Sequence, residues 1–279
     1  MSVELSKEGV EQLLKGVSIP PRPTLLIAVD QELKRPDPDM KQIASLIGKD
    51  VGVSAAMLKT LNSPLFALRS KIGNVSQAVM MLGARNVQNV VTGLVLRNSV
   101  GGAGASLERF WDSAEKVASI NAYICTVLPK APREEAYTFG LFRDCGIPLL
   151  MQRFPEYRET LKKAAGEDVP LTKVEDECHG TNHATVGYMV ARSWGLSDTI
   201  CQAILCHHEV NVITGVDASQ PLTRTLVAIN FLAEHLNDTA LRMRGDHQWE
   251  VIGQGILDYL GLTEDEYQEL TEDVAGICA

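Results

Sequence analysis

Apolar residues recur at intervals of three and four along almost the whole chain, and this spacing predicts α-helices. In the first 100 residues the apolar positions form four successive faces: Leu25, Leu26, Val29 and Leu33; Ile43 and Ile47; Met57, Leu58 and Leu61; Val79, Met80 and Leu82. Prolines at positions 20, 21, 23, 38 and 64 separate these faces. No stretch shows the sustained alternation of a strand, so the sequence predicts an all-α fold, with five to seven short helices in residues 1–98.

The composition is that of an ordinary globular protein, with 279 residues, 45% apolar and 22% charged. No apolar run approaches the roughly 20 residues that span a bilayer. The N-terminal sequence MSVELSKEGVEQ has no apolar core of a secretory signal. Six cysteines occur without a CxxC pair, as in reduced proteins. From these features we expect a cytoplasmic location and no contact with a membrane.

A glycine-rich stretch, Gly101–Ser106, is the clearest boundary in the chain, because GGAGAS has no large side chain to pack. It predicts a joint between an N-terminal helical lobe, residues 1–100, and a second helical lobe, residues 107–279. Charge is divided along the same line. Residues 1–100 carry 12 Lys and Arg against 8 Asp and Glu, whereas residues 101–279 carry 14 against 27.

Helix signals are strong in the second lobe. The pattern predicts helices from Leu107 to about Thr126, from Tyr137 through Asp144, from Asn182 to Trp194, from Ser197 to His208, and from Leu222 to Leu236. A last helix should begin at Thr263, where Glu266 completes a capping box.

All six histidines fall in the second lobe, and two of them lie on apolar helix faces. His183 is in line with Val186 and Val190, and His207 is in line with Ile200 and Ile204. A single histidine on such a face is more often a structural core residue than a ligand. Asp144, however, also points inward with Leu141 and Ile147, so a shared site is predicted. Imidazole and carboxylate are the ligand types that zinc, manganese and iron prefer.

Several motifs resemble the HD-related output domain, HDOD, of bacterial signalling proteins, over residues 23–210. In the first lobe they are ASLIGKDVGVSAAMLKTLNSPLF from Ala44 and NVSQAVMMLG from Asn74. In the second lobe they are ECHGTNH from Glu177, WGL from Trp194, and Ala203-Ile204 leading to His207-His208. The resemblance implies an all-α fold of two helical lobes, the second similar to an HD-type helical bundle.

The HDOD family in turn resembles the HD phosphohydrolase superfamily, and this resemblance implies where a metal site would lie. The His-Asp doublet of that superfamily falls on Arg143-Asp144, its earlier histidine on Ser113, and its late aspartate on Asn230. The residue types that survive are Asp144, His183, His207 and His208. The set of seven therefore marks a remnant HD-type site or ligand cleft, and we expect no catalytic residue among them.

Arg143 gives a physical reason to expect neither a metal nor another cofactor in this remnant. A guanidinium is always protonated and can neutralise Asp144, whereas a divalent cation nearby would be repelled. If the cleft holds one ion after all, the fallback ligands are Asp144, His183 and His207.

These observations predict a non-catalytic signal-transduction or scaffolding module that binds a protein partner in a signalling pathway or a small nucleotide-like ligand. One alternative is a metal-dependent phosphohydrolase or phosphodiesterase with a reduced HD site. A second alternative is a helix-turn-helix DNA-binding regulator, since Met40–Asn62 has two short helices with Ala44 and Gly48 suitably spaced. Polar Ser54 at a position that should be apolar, and the acidic second lobe, argue against nucleic acid as a partner.

Overall fold

The computed structural model describes residues 14–66, 70–100, 105–167, 169–214, 220–240 and 247–278, and within these ranges it contains helices and no strand. The expected all-α fold is confirmed. In the first 100 residues the helices are α1 (Thr24–Leu33), α2 (Met40–Gly48), α3 (Val51–Leu61), a 3₁₀ turn (Pro64–Phe66) and α4 (Val75–Val100). The next six are α5 (Ala105–Val127), α6 (Arg133–Phe142), α7 (Gly146–Arg153), α8 (Tyr157–Glu167), α9 (Leu171–His179) and α10 (His183–Trp194). The last five are α11 (Asp198–Cys206), α12 (Asn211–Thr214), α13 (Pro221–Ala240), α14 (His247–Leu260) and α15 (Glu264–Cys278).

Helices α2 and α3 begin where acidic side chains cap them. Asp39 accepts from the backbone N–H groups of Lys41 and Gln42 at the start of α2, and Asp50 accepts from Val53 at the start of α3. Ser54, the polar residue at an expected apolar position, donates to the backbone carbonyl of Ile47 at 3.0 Å. Its hydroxyl is therefore satisfied between two packed helices.

Helix α4 is two helical segments joined at Gly83, which has φ 72° and ψ 170°. A positive φ is costly for residues with a Cβ, so glycine suits this kink. The kink separates a short segment that exposes Met80 from a longer one whose Val90, Val91 and Leu96 are fully buried.

Helix α6 is central to the packing, because it contacts α5, α4, α11 and α13. One continuous apolar core includes residues from both the predicted lobes, among them Met57, Val90 and Tyr137. Polar contacts also join the two parts: Thr60 Oγ1 lies 3.3 Å from Tyr137 Oη. The predicted joint at Gly101–Ser106 lies mostly outside the described residues.

The chain before α1 runs across the C-terminal part of the molecule. Val17 is buried there, and the indole N–H of Trp194 donates to the backbone carbonyl of Pro20 at 3.0 Å. Trp194 and Trp111 are both buried, as expected for residues on apolar helix faces. None of the described helices is both long enough and apolar enough to cross a membrane.

The predicted caps in the C-terminal half are confirmed. Asn182 accepts from Thr185 N at the start of α10, and Gly195 ends that helix with φ 77°. Ser197 accepts from Ile200 N at the start of α11. Thr263 and Glu266 form the expected capping box, since each backbone N–H donates to the other side chain.

The prediction that Asp144 continues a helix was wrong. Helix α6 ends at Phe142, and Arg143, Asp144 and Cys145 form a turn before α7 begins at Gly146. The turn is closed by bonds from Cys145 N to Phe142 O and from Ile147 N to Asp144 O. Arg143 keeps helical φ and ψ and its N–H still donates to Phe139 O, and the turn follows directly after it. The Arg143 and Asp144 side chains meet, with Nη2 3.1 Å from Oδ2.

Gly146 allows this turn to approach the start of α10. A Cβ at Gly146 would lie 2.2 Å from the backbone carbonyl oxygen of His183 and 2.8 Å from its Cα. These are backbone atoms, so a side chain could be accommodated only if α7 moved away from α10.

We expect Gly146→Ala to lower the free energy of unfolding by about 1–3 kcal/mol, the usual cost of overpacking a tight contact. Gly166→Ala is the matched control, because a Cβ there meets nothing within 4 Å. The control should change the free energy by less than about 1 kcal/mol. Urea unfolding of both variants tests this, and equal stability of the two would show that the close approach is not rigid.

Candidate metal centre

Three separate parts of the chain bring four potential ligands together. Asp144 lies in the turn between α6 and α7, His183 is the first residue of α10, and His207-His208 immediately follow α11. Helix α10 packs against both α7 and α11, and α11 packs against α6. The helix ends that carry the four side chains therefore meet in the interior.

One ligand atom from each of Asp144, His183, His207 and His208 lies within 4.8 Å of the others. His183 Nε2 is 3.5 Å from Asp144 Oδ1, and His207 Nε2 is 3.3 Å from the same oxygen. The two Nε2 atoms of His183 and His208 are 2.9 Å apart. For comparison, two ligand atoms bound to one tetrahedral zinc ion at about 2.1 Å lie about 3.4 Å from each other.

Hydrogen bonds on the outer side of the rings determine which nitrogen carries the proton when each of two histidines is neutral. His183 Nδ1 lies 2.6 Å from Glu175 Oε2, and His207 Nδ1 lies 2.7 Å from the carbonyl oxygen of Ile204. Both partners are acceptors, so each Nδ1 carries the proton and donates. A neutral ring then presents an Nε2 lone pair to the cluster, which is the arrangement that metal-binding histidines use.

His207 Nε2 gives the clearest indication that a cation belongs here. The atom is buried and makes no hydrogen bond to any described residue, although Asp144 Oδ1 is 3.3 Å away. In the neutral ring two acceptors face each other, which is unfavourable in the interior. Either a proton on Nε2 or a metal ion between the two atoms removes that conflict, and an imidazole nitrogen facing a carboxylate oxygen fits a metal ion.

The titration behaviour of the cluster follows from its charges. Burial opposes ionisation of Asp144, but the Arg143 guanidinium and the nearby His207 and His183 rings hold its pKa well below the ordinary value. Burial alone would lower the pKa of His183, yet Glu175 and then Asp144 raise it. Burial and the neighbouring His207 and His183 rings depress the pKa of His208 well below that of an ordinary histidine.

Arg143 forms the second part of the site. Its Nη2 lies 3.1 Å from Asp144 Oδ2, and its Nε donates to Glu234 Oε1 at 2.7 Å. Its Nη1 donates to the backbone carbonyl of Gly140 at 2.6 Å. Burial works against its charge, but Asp144 and Glu234 raise the pKa of Arg143 overall, so the guanidinium stays charged.

The structure brings together five of the seven residues that the sequence singled out: Arg143, Asp144, His183, His207 and His208. Asn230 is buried outside the histidine cluster, and its Oδ1 accepts from Asn121 Nδ2 at 3.1 Å. Ser113 is exposed on α5 and does not join the cluster. Asn121, about two turns further along α5, is the residue of that helix that faces Asn230.

Three residues that hydrogen-bond to the site were not predicted from the sequence: Glu175, Tyr157 and Glu234. Glu234 could have been found, because it lies one helical turn after Asn230 on α13 and shares its face. Glu175 lies eight residues before His183, across a helix end and a turn, and Tyr157 is further still. No spacing rule connects these two to the histidines.

Comparison with known proteins gives a family and two informative solved structures. The HDOD domain family matches residues 19–210. A crystal structure described as a putative phosphohydrolase from Shewanella amazonensis SB2B is 20% identical, with TM-score 0.70 over 96% of this chain and 98% of that one. A putative signal transduction protein from Marinobacter aquaeolei VT8 is 18% identical, with TM-score 0.62 over 97% of this chain and 60% of that one.

A curated relative is an uncharacterized protein of Treponema pallidum (strain Nichols), 23% identical over 259 residues. The match covers 91% of this chain and 48% of the relative. The chain thus spans about half the length of this curated relative.

Arg143 should contribute more to stability than an exposed arginine. Replacing it in Arg143→Met leaves two carboxylates without their shared cation and should cost about 3 kcal/mol in urea unfolding, as for one partner removed from a buried pair. Arg97→Met is the matched control, because Arg97 pairs with Asp112 at 3.1 Å on the surface. That loss should be below about 1 kcal/mol. Similar losses in both variants would show that Arg143 is not the ion that neutralises the cluster.

Proposed function

The chain belongs to the HDOD family, and from this premise we propose that it is a non-catalytic signal-transduction module whose histidine cluster binds one divalent transition-metal ion. Asp144, His183, His207 and His208 would hold the ion. This replaces the expectation of a metal-free remnant and extends the fallback ligand set by His208. The similarity to a solved structure described as a putative signal transduction protein supports the signalling role.

The observation that carries the non-catalytic part of the proposal is the position of Arg143. Its guanidinium is buried, contacts Asp144 Oδ2, and is fixed by Glu234 and Gly140 O. A permanent cation on that side of Asp144 disfavours a second metal ion, because like charges a few ångströms apart repel strongly in the interior. A two-metal phosphohydrolase needs both ions to stabilise the attacking and leaving oxygens.

A single ion would act mainly as a cross-link in this proposal. Its four ligands belong to the α6–α7 turn, the start of α10 and the end of α11. Binding of the ion would therefore hold these three segments together. A bound ion also supplies Lewis acidity, which here would serve to bind an anionic group. Helix α6 precedes Asp144 and packs against α4 as well as α5, so it connects the cluster to the N-terminal helices.

The expected partner is a protein of a signalling pathway or a small nucleotide-like ligand. A membrane is not expected, and neither is nucleic acid, given the excess of acidic residues after position 100.

A metal-dependent phosphohydrolase is the second candidate, and one observation favours it. Asp144 and Glu234 remain partly exposed, with 18% and 34% of their side chains accessible, so a substrate oxygen could approach the cluster from that side. The similarity to a structure described as a putative phosphohydrolase agrees with this candidate.

Metal content separates the proposal from a metal-free remnant. Protein purified without a histidine tag should contain about one equivalent of a transition metal by elemental analysis, and His183→Ala should lose it. His235→Ala is the control, since His235 bonds to Tyr267 on α15 instead of the cluster. A protein that takes up no metal, or a control that loses it equally, would contradict the proposal.

Activity assays separate the two candidate functions. We expect no turnover of phosphate monoesters, phosphodiesters or cyclic dinucleotides with manganese, magnesium or iron present. The reason is that the Arg143 guanidinium, 3.1 Å from Asp144 Oδ2, disfavours a second metal ion beside that oxygen. Turnover that disappears in Asp144→Ala, and persists in Asp112→Ala on the surface, would establish the phosphohydrolase instead.

A further inference from the structure

A buried glutamate lies behind the histidine cluster. Glu175, on α9, is fully buried and accepts three hydrogen bonds. The donors are the Tyr157 hydroxyl to Oε1, His183 Nδ1 to Oε2 at 2.6 Å, and the His183 backbone N–H to Oε2 at 3.1 Å. We propose that Glu175, held by Tyr157, is a positioning residue that locks His183 in the tautomer whose Nε2 lone pair faces the metal ligands.

The contacts leave His183 one neutral tautomer. An ionised carboxylate can only accept hydrogen bonds, so Nδ1 must carry the proton that it donates to Oε2. The backbone N–H of His183 binds the same oxygen and fixes the ring relative to the start of α10. With Nδ1 protonated, Nε2 is available as a ligand, and the carboxylate behind the ring makes that nitrogen more basic.

Tyr157 keeps the carboxylate in place. Its side chain is almost fully buried as the first residue of α8, and its hydroxyl contacts the oxygen of Glu175 that does not bind His183. Its ring lies against His179, which is itself stacked on Phe154 with 4.3 Å between ring centroids. Burial, reinforced by Glu175, raises the pKa of Tyr157, so the hydroxyl remains a donor.

The negative charge of buried Glu175 gives a second reason to assign it the positioning role. A buried carboxylate is costly unless hydrogen bonds and a nearby positive charge compensate it. The ion pair of Glu175 among the described residues is with His183, whose ring is also fully buried. That ring can supply the positive charge either as an imidazolium or through a metal ion bound at its Nε2.

The predicted loss of metal affinity rests on the proposed function, because it requires a metal site. The predicted tautomer of His183 does not depend on that function. Loss of such a supporting partner typically weakens metal binding by about 10–100-fold. The experiment therefore measures the two properties separately, so that failure of one can be recognised without the other.

Four variants make the comparison. Glu175→Ala removes the carboxylate, Glu175→Gln preserves its shape without charge, and Tyr157→Phe removes the hydroxyl that holds it. Glu134→Gln is the control, because Glu134 is also buried but pairs with Arg133 on α6. Glu175→Gln and Tyr157→Phe keep the test valid if Glu175→Ala does not fold.

The first readout is ¹⁵N NMR of the His183 ring in the metal-free protein, at alkaline pH where the ring is neutral. Wild type and Glu134→Gln should show the Nδ1–H tautomer, and Glu175→Ala should show a mixture or the Nε2–H form. The second readout is zinc affinity by competition with a chelator. Affinity should fall about 10–100-fold in Glu175→Ala, less in Glu175→Gln and Tyr157→Phe, and not in Glu134→Gln.

An unchanged tautomer in Glu175→Ala would overturn the proposal even if the protein were less stable. If that variant does not fold, unchanged zinc affinity in both Glu175→Gln and Tyr157→Phe would overturn it. A changed tautomer with zinc affinity within twofold of wild type would overturn it as well. If wild type binds no zinc but the tautomer changes as expected, the positioning role stands and the metal function fails.

Discussion

The carboxylate of Asp144 lies between a guanidinium on one side and two imidazoles on the other. Oδ2 contacts Arg143, and Oδ1 lies within 3.5 Å of His183 and His207. A buried charge is stable only when its neighbours compensate it. The turn after α6, the close approach allowed by Gly146 and the inward direction of Arg143 all serve to place this carboxylate. In the proposed function, the chemistry of the site depends on how the charge of Asp144 is shared between the fixed arginine and a bound metal ion.

The resemblance to the HD superfamily implies a metal-binding histidine at position 143. This chain instead has a permanent cation there, bound to Asp144 and Glu234. On the side of Asp144 away from Arg143, three imidazoles and one carboxylate oxygen face one another as candidate ligands. In the proposed function, this division favours one ion over two and ligand binding over hydrolysis. Helix α6, which ends at this site, contacts helices from both parts of the chain and gives a physical connection between them.

Sequence periodicity was sufficient for the fold class and for most helix ends, because caps such as Asn182, Ser197 and Thr263 are local signals. It also identified His183, His207 and Asp144 as inward-facing. It was wrong about the helix through Asp144, where a turn brings Gly146 against the backbone of His183, a tertiary contact that periodicity does not report. Ser113 was assigned by family pattern alone, and the structure leaves it exposed. Glu175 and Tyr157 could not be found, because only tertiary contacts join them to the cluster.

The most direct test of the account is the number and position of metal ions in the folded protein. Anomalous diffraction from crystals of the protein loaded with zinc or manganese would locate them. The account predicts one peak, in contact with Asp144, His183, His207 and His208, with Arg143 still bound to Asp144 and Glu234. Two peaks with Arg143 displaced would contradict it in favour of a two-metal enzyme. A cluster with no peak, closed by hydrogen bonds alone, would contradict the proposed metal centre.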